Sequence, residues 1–377
     1  MRNNNQSNYF HRIDLYRFIF TIFVVILHFE CFYPTKPKEY IFSLYRSVDF
    51  FFVLSGFLLY RTFKTKRYTT SLDYVISKVK KFMPLNVIII LLSSLCAVLM
   101  PITGIKSLFS MATSFIINFF SSIANLLFLQ LFIPVLEKFI PSRFEGLPLW
   151  YISALLVSSF LWFQILLHLQ KKNGENSKNY AWGLVSAIFI FAFLIQQYEK
   201  LDLALDIVPI FNVPAGFLRG FAEMGLGIFC ANYKFELKNK KIINFLKIFL
   251  PLILFVLIFY AKYTVIDFAF VFVICIVLIF EFSLEEEVSS IKQKIYKTAG
   301  NFSLSIYFTH AFVIFFEYTS LLRIYSTFRE NFLLDIAIRI ILIVSSSLIV
   351  YGLSKPVSKM LYKLYSCIKL IGENNTK

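Results

Sequence analysis

The chain has 377 residues, of which 58% are hydrophobic and only 16% charged, and its mean hydropathy is +0.70. Soluble domains carry about 45–50% apolar and about 25% charged residues. The composition therefore excludes a disordered chain, a collagen and an ordinary soluble enzyme, and it points to a polytopic membrane protein with room for roughly ten spans. The net charge is +16, from 38 Lys and Arg against 22 Asp and Glu. No basic domain stands apart from the apolar segments, so no nucleic-acid partner is expected; basic loops facing the cytoplasm and anionic membrane lipid explain the charge. Five cysteines are scattered without a C-x-x-C or His/Cys cluster, so neither a metal site nor a disulfide scaffold is expected.

Apolar segments run approximately over 15–33, 45–60, 84–100, 107–136, 148–169, 181–197, 214–232, 248–261, 265–282, 302–320 and 333–353. The first follows Arg2 and Arg12, as a secretory signal would. It ends in His28-Phe29-Glu30-Cys31-Phe32-Tyr33-Pro34 with no small-residue cleavage site, so it reads as an uncleaved first span. With the N-terminus inside, the loop after the second span carries Arg61, Lys64, Lys66, Arg67, Lys78, Lys80 and Lys81. If 107–136 makes no net crossing, roughly 25 Lys and Arg lie inside and roughly 10 outside; if it crosses, the excess reverses. The expectation is an all-α polytopic membrane helix bundle with about ten transmembrane helices, both termini cytoplasmic, and a membrane-embedded non-crossing or re-entrant segment around 107–140. Pro134, Pro141 and the polar Asn118, Ser121, Ser122, Asn125 and Gln130 suit an irregular segment buried against protein. No linker or repeat marks a second domain, so residues 1–377 read as one integral-membrane domain of a multi-pass protein.

Ionisable residues at membrane depth are costly and tend to serve function. In the first span, Arg17 and His28 are eleven residues apart, which places them about 20° from the same helix face and about 16 Å apart along the axis. A cation near the cytoplasmic end and an imidazole near the outer end suit anion binding at one depth and acid–base chemistry at another. The alternative is a plain anchor, with Arg12 and Arg17 snorkelling to the interface. Asp49 opens the second span at about the depth of His28, where a carboxylate could orient the imidazole; an ordinary helix cap is the competing reading. Asp49 is by position the better partner for His28, and Asp14 the better one for Arg17. Ser55-Gly56 suits close helix packing. Ser303, Tyr307, His310 and Glu317 fall at steps of four, three and seven, one face of a helix, and suggest a polar cavity lining. Arg219 and Glu223, and likewise Asp335 and Arg339, are spaced to pair within their helices. Asp267 and Glu281 flank the eighth span as interfacial groups. His11 and His168 read as structural. Zinc-protease, nucleophile-elbow and Walker motifs are absent from the sequence.

Together these residues resemble the membrane acyltransferase 3 family. Arg17-x10-His28 after Asp14 has the spacing of the family's first-helix motif. Val48-Asp49-Phe50-Phe51-Phe52-Val53-Leu54-Ser55-Gly56-Phe57 is similar to its second-helix signature. Lys78-Val79-Lys80-Lys81-Phe82-Met83-Pro84 resembles its basic cytoplasmic motif, where two arginines are usual; lysine keeps the charge and loses the bidentate geometry. Leu149-Trp150-Tyr151-Ile152 resembles the outer-side Trp motif, without the paired glutamates of some members, and Ser303-x-Ser305-x-Tyr307-x-x-His310 the late Ser/Tyr/His motif. The resemblance covers nearly the whole chain in the expected order.

What the resemblance implies is O-acylation of a carbohydrate in the cytoplasmic membrane: a cytoplasmic acyl-CoA donor (acetyl-CoA by family default) and an envelope or exported polysaccharide acceptor. The implied catalytic set is His28, Asp14, Arg17 and Asp49, with His28 as general base or acyl acceptor. Arg17, Lys78, Lys80 and Lys81 would bind the acyl-CoA, and Trp150, Ser303, Tyr307 and His310 would line the cavity or meet the acceptor. No metal is implied. The rival class is a transporter or flippase of an envelope glycolipid or polysaccharide, against which no paired broken-helix repeat is visible. A homo-oligomer is compatible with the sequence but not specified by it.

Overall fold

The computed structural model describes residues 10–31, 43–99, 113, 116, 122–132, 149–174, 177–201, 203–259, 266–284, 289–316 and 332–374. The described chain is all-α apart from one two-residue hairpin. Its long helices are α1 (His11–Cys31), α2 (Ser47–Lys64), α3 (Ser71–Leu99), α4 (Trp150–Asn173), α5 (Ala181–Tyr198), α6 (Ala215–Cys230), α7 (Lys240–Phe259), α8 (Ile266–Ser283), α9 (Ser290–Phe316) and α10 (Phe332–Asn374). Among the described residues five stretches are long and apolar enough to cross a membrane: α4, α5, α7, α8 and Ala337–Ser366 within α10. The hairpin, β1 (Ile207–Val208) with β2 (Val213–Pro214), is antiparallel and was not legible as strand in the sequence.

Two compact units make up the chain: residues 1–75 with 154–303, and 76–153 with 304–377. In the first, α2 lies against α6 at backbone contact. A β-carbon at Gly56 would run into the Met224 carbonyl, and one at Gly227 into the Val53 carbonyl. Only glycine allows this approach, which is the packing role that Ser55-Gly56 suggested. Gly183 of α5 and Gly225 of α6 oppose each other's backbone in the same way. Aromatic packing fills the rest of the unit: Phe20 of α1 stacks on Phe50 of α2 with centroids 4.2 Å apart, and Phe57 of α2 on Phe282 of α8 at 4.4 Å. Such offset pairs add about 0.5–1.5 kcal/mol each beyond area burial.

In the second unit, part of the segment expected around 107–140 is visible at 122–132. It is irregular: a helical turn at Ile123–Leu126, Phe128 at φ 57°, and a 3-10 turn at Gln130–Phe132. The Asn125 backbone carbonyl and the buried Gln130 side chain are hydrogen-bonded to protein. Asn86 of α3 donates to the Asn125 carbonyl at 2.8 Å, the Gln130 amide donates to the same oxygen at 3.0 Å, and the Ser153 hydroxyl donates to Gln130 Oε1 at 2.9 Å. The rest of 107–140, apart from 113 and 116, lies outside the described residues, as does Glu317. In the same unit the hydroxyls of Thr309 (α9) and Ser347 (α10) are 2.6 Å apart. The sequence pattern ends the last apolar segment near 353, but α10 runs on through Pro356 to Asn374. The helix thus continues past a proline whose ring crowds the carbonyl four residues back, that of Gly352.

Candidate active site

α1 brings the first cluster together. Arg17 donates to Asp14 Oδ1 at 3.0 Å, one turn back on the same helix. Asp14 is buried, and a β-carbon at Gly300 of α9 would overlap its carboxyl group, so the wall behind Asp14 is a glycine face. One turn along α9, the buried Ser303 hydroxyl donates to the Gly300 carbonyl at 2.8 Å. Asp14, paired with Arg17, thus packs against the Gly300–Ser303 turn in the first unit. The Asp14–Arg17 pairing agrees with the sequence reading. His28 sits half-buried, about three turns beyond Arg17, the last of these α1 residues.

Asp49 is placed differently from the expectation that it would partner His28. It is fully buried, and its Oδ1 accepts from Arg219 Nε of α6 at 3.0 Å and from Arg219 Nη2. The Arg219 Nε also donates to Glu223 Oε1 at 3.1 Å, and Nη2 donates to the Tyr45 carbonyl at 3.3 Å. Asp49 makes no hydrogen bond to His28. The physical reason is charge satisfaction: a guanidinium buried among helices holds a carboxylate more tightly than a neutral imidazole does. Arg219 and Glu223 pair as their spacing implied; that Arg219 reaches across to α2 was not foreseen, because sequence spacing reports only neighbours on one helix.

Asp267 and Glu281 also depart from the interfacial reading. Both are buried. Asp267 Oδ1 accepts from Arg46 Nε at 2.8 Å and from the Tyr45 hydroxyl at 2.7 Å, and its Oδ2 from the Leu201 backbone N–H at 3.3 Å. Glu281 pairs with Arg12 at 3.0 Å and accepts from the Tyr16 hydroxyl at 3.1 Å. These two residues lie fourteen apart on α8, about 21 Å along its axis, so the helix is pinned by an ion pair near each end. Arg46 is the buried residue that the sequence reading missed. A single arginine at the edge of an apolar run looks interfacial until its carboxylate partner, more than two hundred residues away, is known.

In the second unit, Lys78 and Lys81 share a face of α3, three residues apart, while Lys80 points elsewhere, its Nζ 4.7 Å from the Tyr365 ring centroid. Lys78 is half-buried, Lys80 and Lys81 are exposed. Tyr307 and His310 of α9 are buried, with ring centroids 5.2 Å apart, and His310 Nδ1 meets the Tyr307 carbonyl. Tyr307 packs edge-on against Tyr151 at 6.0 Å, next to the buried Trp150. Tyr307 and His310 of the late motif and Trp150 and Tyr151 of the Trp motif adjoin in this unit's interior. The Asp335 side chain lies outside the described residues. Among the described residues no three His, Cys, Asp or Glu side chains gather as a metal site would require.

No curated protein and no solved structure matches the chain. The family model for an acyltransferase domain matches residues 10–355, from one residue before α1 to the middle of α10. Arg17, His28, Asp49, Trp150, Tyr307 and His310 all lie inside the matched stretch, and the chain belongs to the acyltransferase 3 family of membrane acyltransferases.

Proposed function

We propose that the chain moves an acyl group, acetyl by family default, from cytoplasmic acyl-CoA to a hydroxyl of an envelope or exported polysaccharide. It acts as one domain over residues 1–377 in the cytoplasmic membrane, with ten crossings, both termini cytoplasmic and the 107–140 segment embedded from the outer side. The observation that carries this reading is on α1: in a chain of this family, Arg17 is held by Asp14 within hydrogen-bond reach, and His28 lies on the same helix face about 16 Å further along.

Coenzyme A is polyanionic and ends in a thin thioester arm. Lys78 and Lys81, with Lys80 beside them, would hold its phosphates, and Arg17 the pyrophosphate or the acyl carbonyl. The arm would carry the thioester toward His28. There the imidazole takes the proton of the acceptor hydroxyl as its oxygen bonds to the acyl carbon. The C–S bond breaks, and the leaving thiolate recovers the proton from the imidazolium. In the two-step form, His28 takes the acyl group first and the sugar hydroxyl then displaces it. Trp150, Ser303, Tyr307 and His310 would line the acceptor path. Asp49 enters this scheme only through the buried framework it forms with Arg219.

The test is acetyl-CoA-dependent labelling of envelope glycan in membranes, wild type beside His28→Ala. Label present in wild type and lost in the variant supports transfer with its chemistry on α1. Equal label in both moves the base to another residue, with His310 next. No label from any acyl donor in either removes the reading.

A further inference from the structure

The first unit holds a cavity of about 740 Å³ that uses none of the residues assigned above to transfer. It lies where α2 leaves its apolar run and is lined there by Leu58, Tyr60, Arg61, Lys64 and Arg67; Tyr233 and Lys234, which follow the end of α6, line it too. Pockets that hold small ligands measure about 300–1,000 Å³.

Its charge is unbalanced. Arg61, Lys64, Arg67 and Lys234 bring four cations and Glu236 one carboxylate. The C-terminal ends of α2, capped at Thr65, and of α6, capped at Ala231, both border the cavity. Each helix end carries a negative partial charge of about half a unit, so about two positive charges remain over. Cations at a helix C-terminus are ordinary, but two helix ends and one carboxylate call for about two of them, and four are present. Among the described residues none of the four is paired with a carboxylate.

Arg61 is half-buried and packed, while Lys64, Arg67 and Lys234 are exposed at the cavity mouth. The Arg61 guanidinium sits 5.0 Å from the Phe10 ring centroid and 5.1 Å from that of Phe282, and Lys64 Nζ 5.6 Å from Tyr60. Lys66, at φ 52°, turns the chain out of α2, and Arg67 lines the same cavity as Arg61. Past the end of α6, the Phe235 N–H donates to the Ser283 hydroxyl at 2.8 Å, which ties the segment carrying Lys234 to the end of α8.

We propose that this pocket binds a phosphoryl-bearing anion carrying about two negative charges or presenting several phosphoryl oxygens together. Guanidinium and ammonium groups clustered beside an apolar and aromatic wall are matched by that chemistry. Two sources can present it: an anionic phospholipid headgroup, or the nucleotide end of a coenzyme A. The inference does not depend on which residues carry acyl transfer.

The experiment is a binding titration on the full chain in uncharged detergent, read by thermal shift and by isothermal calorimetry. The probes are dioctanoyl phosphatidylglycerol, coenzyme A, and dioctanoyl phosphatidylcholine as the zwitterionic control. The variant Lys64→Gln/Arg67→Gln/Lys234→Gln changes three exposed side chains and leaves Arg61 packed. At least one anionic probe is expected to bind wild type and to lose about tenfold in affinity in this variant, with zwitterionic lipid much weaker. Binding carried by phosphatidylglycerol assigns the site to headgroups; binding carried by coenzyme A assigns it to nucleotide phosphates. A Lys78→Gln/Lys81→Gln variant separates this pocket from the α3 lysines. The proposal is overturned by wild type binding neither anionic probe, by the pocket variant binding as wild type does, or by phosphatidylcholine binding as well as phosphatidylglycerol. Should the triple variant not fold, the single exposed substitution Lys234→Glu serves instead, and unchanged affinity there overturns the proposal equally.

Discussion

Arg219 of α6 and Asp49 of α2 form a buried ion pair, with the arginine Nε 3.0 Å from Oδ1 and Glu223 sharing the same guanidinium at 3.1 Å. The pair sits where α2 and α6 meet through Gly56 and Gly227, so the charge and the glycine contact fix the same two helices. Removing one partner of such a pair leaves an uncompensated charge in the interior, at about 3–5 kcal/mol. Arg219→Met should therefore abolish monodisperse, folded protein on fluorescence-detected size exclusion. Glu223→Gln should be much milder, because Arg219 keeps Asp49. Equal behaviour of the two variants would argue against the pairing.

Backbone contact at Gly56 has its own consequence. Gly56→Val places a branched side chain on the Met224 carbonyl, and overpacking of this kind costs about 1–3 kcal/mol or more. The melting temperature should fall clearly. Gly352→Val in α10, where a β-carbon meets open space, is the matched control and should leave melting almost unchanged.

His28→Ala should remove labelling of glycan by acetyl-CoA while the protein stays folded in the membrane, since the half-buried imidazole contributes little core. Activity lowered by less than about tenfold would not suit a general base, whose loss typically costs about 10²–10⁴-fold.

Asp14→Asn should loosen Arg17 and act mainly on the donor. The expected result is a several-fold rise in KM for acyl-CoA with the acceptor KM nearly unchanged. Gly300→Ala should mimic it, because the added methyl overlaps the Asp14 carboxyl group. If Gly300→Ala raised the acceptor KM instead, the Asp14–Arg17 pair would not belong to donor binding.

Lys78→Ala with Lys81→Ala should raise the donor KM more than Lys80→Ala does. Lys80 faces the Tyr365 ring, away from the surface that Lys78 and Lys81 share. The comparison needs only initial-rate kinetics at varied acyl-CoA. A larger effect at Lys80 would reverse the assignment.

Helix content, the basic loops and the pairs within one helix were legible in the sequence, because each is a local property. Apolar runs report length, and residues three, four or eleven apart report a face. So Asp14 with Arg17, Arg219 with Glu223, and the packing role of Gly56 could all be read from spacing alone. The partners of charges on different helices were not. Asp49 with Arg219, Arg46 with Asp267, and Arg12 with Glu281 join residues 170 to about 270 positions apart. Periodicity carries no information at that range. Which carboxylate satisfies which guanidinium is decided when the helices pack, since an unpaired charge in the interior costs more than any local preference offers. For the same reason the cationic cavity between the ends of α2 and α6 was invisible in the sequence. Arg61, Lys64 and Arg67 read as ordinary loop charges, and only the tertiary structure brings Lys234 to them.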